Sequence, residues 1–145
     1  SPISQRSKDK LYESEFLTAS EQVRIRDTFV DLASILAEII DETSGKEQKK
    51  RLKRKSLIQN LFFMMYNGLT SYDQIKLAID LHDKAYDDKG NFFYPNFSDN
   101  EEYNDLTFKN ACEGARAVNM EFRHLQLNKI MSQVLGTELN KAFNL

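Results

Sequence analysis

The chain has few of the residues that turn a backbone. Its 145 residues include five glycines and two prolines. That scarcity argues against a sandwich or barrel with many hairpins and for a few long helices. Tryptophan is absent and there is one cysteine, Cys112. A single thiol cannot close an internal disulfide, so a disulfide scaffold is excluded and a reducing compartment is the simpler expectation. No apolar run approaches the roughly 20 residues that span a bilayer. The opening residues, SPISQRSKDK, are polar, so no signal peptide is expected. Glycine-rich phosphate loops, zinc-finger spacings, a nucleophile elbow and a kinase signature are also missing. Those absences remove the most easily recognised enzyme and cofactor classes.

What is present is ordinary globular material. Hydrophobic residues make up 41% and charged residues 29%, which places the chain outside the disordered class. The length suits one domain with its own core. Residues 1–10 are expected to be a flexible end and residues 11–145 a helical bundle. The fold class expected is all-α, with about four main helices and short terminal ones.

Spacing supplies the helices. Thr18 followed by Glu21 is a capping-box pattern. After it, Ile25, Phe29, Leu32, Leu36 and Ile39 recur at intervals of four and three, and Val30, Ala33, Ala37 and Ile40 widen the stripe. A helix this apolar is expected to be central, closed by Gly45 in the left-handed conformation. Gly68 is expected to end the second helix. Ser71 with Gln74 opens a third, whose apolar face is Ile75, Ala78, Ile79 and Tyr86, with Leu77, Leu81 and Ala85 beside it. The last helix is expected to start near Ser98 or Asp105 and run unbroken to Gly136. Phe108, Cys112, Ala115, Val118, Phe122 and Leu125 form its first stripe. Leu127, Ile130, Met131 and Val134 continue on a shifted face. Thr137 would cap a short terminal helix.

The net charge of −2 conceals a polarised chain. Residues 46–55, KEQKKRLKRK, hold seven cations and one anion, leaving about −8 for the rest. Lys46, Lys49, Lys50, Arg51, Lys53, Arg54 and Lys55 are the candidate anion-binding residues. If one helix covers 47–66, its core face is Leu57, Ile58, Leu61, Phe62 and Met65. Stepping back from that face reaches Arg54, Lys50 and Lys46. A core does not accept unpaired charges, which cost several kcal/mol each. The cationic half must then overhang, bend away or meet an acidic neighbour in the stretch 83–105. The functional reading is docking on an anionic surface, with anionic lipid headgroups favoured over nucleic acid or another polyanion. The plain reading is a solvated helix start, or an internal partner for the acidic stretch 83–105.

Phe92, Phe93, Tyr94 and Phe97, in the loop GNFFYPNF, are the second candidate, as an aromatic anchor for a membrane interface or a protein partner. Folding back over the core is the plainer outcome for them. His82 lies near the apolar face and is expected to be a satisfied core-edge histidine rather than a metal ligand with Asp83 and Asp87. On one continuous helix Cys112 and His124 stand about 18 Å apart by rise, too far for a nucleophile–base pair. A Glu121, Arg123 and His124 site is the enzyme alternative, and a protein-binding adaptor anchored by the loop or by an exposed FFMMY edge is the other. No metal and no cofactor are expected. A cytoplasmic protein, peripheral at a membrane, is the expected location.

Overall fold

The computed structural model describes residues 17–87, 101–103 and 105–142. It is all-α: six helices and one 3-10 turn, with no strand among the described residues. The helices are α1 (Ala19–Glu42), α2 (Lys46–Leu52), α3 (Lys55–Tyr66), α4 (Tyr72–Asp87), α5 (Phe108–Glu113) and α6 (Ala117–Ala142). The 3-10 turn is Glu101–Tyr103. The expected flexible end, residues 1–10, lies outside the described residues.

Local chemistry explains the boundaries. Thr18 caps α1 by accepting from the Glu21 amide at 3.1 Å. At the start of α4 the reciprocal box is complete: the Gln74 amide donates to Ser71 Oγ, and the Ser71 amide donates to Gln74 Oε1, each at 3.1 Å. Gly68 closes α3 with φ 138. The Leu69 amide reaches the Met64 carbonyl and the Gly68 amide reaches the Met65 carbonyl, the paired bonds of a Schellman ending.

The core lies where α3, α4 and the second half of α6 meet. Leu57, Leu61, Met64, Ile75, Ala78, Leu127, Ile130 and Val134 are buried there, with Phe108 from α5. Tyr103, Leu106, Ala111 and Phe122 form a smaller satellite cluster. The two apolar faces of α6 thus serve two clusters, which is why its stripe shifts between Leu125 and Leu127.

Four expectations need correction. First, α1 is not central. Leu32, Leu36 and Ile39 are buried, but Val30 is 61% and Phe29 51% exposed, because only one side of α1 meets the bundle. Second, Gly45 is extended at φ −72 and precedes α2, while Thr43 closes α1. Third, the last helix is broken. Thr107 caps α5, and the chain extends at Gly114 before α6 begins. A Cβ at Gly114 would lie 1.9 Å from the Asn119 side-chain nitrogen, so glycine allows the close approach that makes this break. Fourth, α6 continues through Gly136, and Thr137 spends its hydroxyl on the Gln133 carbonyl four residues back instead of capping a new helix.

Candidate functional site

The basic run is two helices, not one. The Lys53 amide reaches the Lys50 carbonyl and the Arg54 amide the Arg51 carbonyl, tightening the last turn of α2. Arg54 is then extended, at φ −65 and ψ 130, before α3 starts. A continuous helix would have stacked like charges at intervals of four, which is unfavourable. It would also have aimed the cations at the core. The break removes the second problem and leaves Leu52, the one apolar residue among the cations, as a buried anchor, while like charges at intervals of three and four remain along α2 itself.

The core face of α3 differs accordingly from the expected one. Leu57, Asn60, Leu61, Met64 and Met65 are buried, while Ile58 and Phe62 are only half-buried. In the FFMMY segment Met64 and Met65 are buried, while the half-buried Phe62 and Phe63 stack on Phe29 and His124, with centroids 4.2 and 4.5 Å apart.

The seven cations separate into three groups. Lys46, Lys49, Lys50 and Lys53 recur at i, i+3, i+4 and i+7 and so share one stripe of α2. Three of them are exposed and Lys49 is half-buried. Lys55, also exposed, opens α3. The arginines turn toward the molecule instead. Arg51 pairs with Asp87 at 3.0 Å, in a half-exposed contact worth about 0–1 kcal/mol. The Arg54 guanidinium lies over the Tyr86 ring, 4.2 Å from its centroid. Among the described residues the ion pairs are Arg26–Asp27, Arg51–Asp87 and His82–Asp83, so no lysine of the run has an ionic partner there. Part of the charge is therefore answered internally, by the acidic end of α4, and the lysine stripe is not.

Arg54 is half-buried, and its Nη1 is shielded from solvent without a hydrogen-bond partner. With Glu47, Lys50 and Arg51 it lines an open notch of about 380 Å³. Tyr86, beneath the guanidinium, has its phenol pKa raised, first by burial and then by its hydrogen bond to Glu113. The acidic neighbour expected in the stretch 83–105 is met for Arg51, by Asp87. Sequence reading missed Tyr86 as the seat of Arg54, more than 30 residues away along the chain.

The aromatic anchor residues Phe92, Phe93, Tyr94 and Phe97 lie outside the described residues. His82 is fully buried, deeper than the core edge. The Asn60 amide nitrogen lies 2.9 Å from His82 Nε2 and 3.3 Å from Cys112 Sγ, so one buried side chain ties α3, α4 and α5 together. Since the amide donates, the ring proton belongs on Nδ1, which faces Asp83 Oδ1 at 3.5 Å. Burial pushes the Cys112 thiol up to about 11, which leaves it protonated and a poor nucleophile at neutral pH. The estimate of about 18 Å between Cys112 and His124 assumed one helix and does not apply across the α5–α6 break.

The Glu121, Arg123 and His124 constellation is not assembled. Arg123 and His124 line a cleft with Asn60, Phe63 and Met120. Glu121 instead accepts from the Tyr103 hydroxyl at 3.0 Å, and Asp83 faces a different cavity beside Arg51 and Lys84. His124 has a lowered pKa, from burial first and the nearby Arg123 charge second. No group of three or more His, Cys, Asp or Glu side chains among the described residues is arranged to hold a metal ion. No helix among them is long and apolar enough to cross a membrane. The chain matches no protein-family model, no curated protein and no solved structure.

Proposed function

We propose that the chain is a non-enzymatic module that docks on an anionic membrane surface through α2. The observation that carries this reading is the lysine stripe Lys46, Lys49, Lys50 and Lys53. It sits on a short helix set apart by Gly45 and by the break at Lys53–Arg54, and it has no ionic partner among the described residues. The helix dipole opposes Lys46, in the first turn of α2, and favours Lys49 and Lys50, in its last, so it gives no account of the stripe as a whole; burial of α2 rests on Leu52, which is not a lysine. Near an anionic bilayer each such lysine contributes about 1 kcal/mol, an attraction that salt screens. Lys55 adds to the same field from α3. Arg51 and Arg54 hold α2 against α4, so their share is orientation as much as charge.

Co-sedimentation with vesicles of increasing phosphatidylserine content tests this. Binding should rise steeply with anionic lipid and fall with salt. Binding that ignores lipid charge would sink the reading.

A further inference from the structure

The notch beside the stripe is built differently from the stripe. Lysines on an exposed face recognise charge and little else. The notch instead gathers two guanidinium groups and one ammonium, from Arg51, Arg54 and Lys50, around about 380 Å³. That volume is at the lower end of small-ligand sites, which run from about 300 to 1,000 Å³. Arg51 is fixed from behind by Asp87 and Arg54 from below by Tyr86, so both forks are held before any ligand arrives. Pre-held side chains lose less freedom on binding. Arg54 is also half-buried with no carboxylate partner among the described residues. A desolvated cation in that position is stabilised by an anion.

Glu47 also lines the notch and sets its selectivity. Among the described residues that line it, three cations and one carboxylate leave a surplus of two positive charges, less the part of Arg51 that Asp87 neutralises. That surplus suits a phosphate monoester, which carries about −1.5 to −2 near neutral pH and offers three acceptor oxygens. A carboxylate or a phosphodiester carries one charge and matches it less well. Planar arginine forks bind such oxygens in pairs, which a row of lysines does not do.

We infer that the Lys50, Arg51 and Arg54 notch is a recognition site for a phosphate monoester group, as borne by a phosphorylated inositol lipid headgroup. This rests on the membrane-docking reading for its setting and adds headgroup specificity to it. The same chemistry exists in a free phosphate ester, so the test needs a soluble arm.

Phosphatidylcholine vesicles would carry either a monophosphorylated phosphatidylinositol or enough phosphatidylserine to match its charge. The wild type should bind the first at least about fivefold more tightly. In Lys50→Gln and in Arg54→Lys, which keeps the charge and loses the fork, that ratio should fall to about one. Lys46→Gln and Lys53→Gln, outside the notch, should weaken both bindings alike and keep the ratio. Glu47→Gln should raise it. Lys50 is exposed, so its variant will fold even if Arg54 proves structural. In solution, inositol monophosphate should shift the amide resonances of residues 50–54 in the wild type and not in Lys50→Gln. Soluble binding much weaker than lipid binding would assign the ligand to the membrane; equal affinities would assign it to a free ester held in the same notch. A wild-type ratio of one, or no resonance shift, overturns the inference. Membrane binding without headgroup preference would remove the notch alone. Soluble binding without membrane binding would remove the docking reading and leave the notch.

Discussion

Gln126 is fully buried, and neither its amide nitrogen nor its oxygen meets a partner among the described residues. An unpaired buried amide costs about 1–3 kcal/mol, so Gln126→Met, similar in volume, should stabilise the fold by that order. The urea midpoint would show it. Cys112, with its thiol held protonated by burial, should react slowly with a disulfide reagent in the native protein and fast once unfolded. His124 has a pKa below its ordinary 6.5, so the unfolded chain binds more protons than the folded one as pH falls through that range. The contribution of a neutral His124 is complete above the unfolded value and is lost as pH drops toward the folded one. Stability should therefore fall between neutral and mildly acidic pH, and His124→Gln should flatten that slope. These placements were poorly legible in the sequence. Periodicity identifies apolar faces but does not reveal that a glutamine between two stripes, or an asparagine within an apolar run, is drawn inside.

Elements were more legible where one side of a helix differs clearly from the other. The face of α4 and the capping box at its start were readable from spacing alone, as was the glycine ending of α3. The phase of α3 was not, because its run is apolar on nearly every side. Asn60 and its bonds to His82 and Cys112 fix the rotation that hydrophobicity leaves open. Breaks without proline were equally hidden: α2 turns into α3 at Lys53–Arg54, and α5 into α6 after Gly114. Two tests belong at this scale. Gly68→Ala should cost about 1–2 kcal/mol through backbone strain at φ 138, since no described residue lies within 4 Å of the added Cβ to clash with it. Unfolding curves would check it. Leu52 is the buried anchor of α2, so Leu52→Ala should speed amide exchange over residues 46–52 by about tenfold while leaving α6 unchanged.

At the scale of the molecule, charge and core are separated. The bundle places its apolar mass in α3, α4 and α6 and gathers seven of its 20 Lys and Arg residues into the ten residues 46–55, on and beside one short peripheral helix. Composition announced that asymmetry, and the basic run was legible at once. Which cations are spent inside was not, because Asp87 and Tyr86 lie far along the chain. The proposed docking rests on this division: Arg51 and Arg54 contact Asp87 and Tyr86 of α4, and Lys46, Lys50 and Lys53 are exposed. The most direct measurement is vesicle affinity, at low salt and fixed phosphatidylserine content, as Lys46, Lys49, Lys50 and Lys53 are changed to Gln one after another. About 1 kcal/mol should be lost at each step, close to a thousandfold over the four. Affinity that stays within a few-fold of wild type in the fourfold variant, with its helical signal intact, would contradict the account.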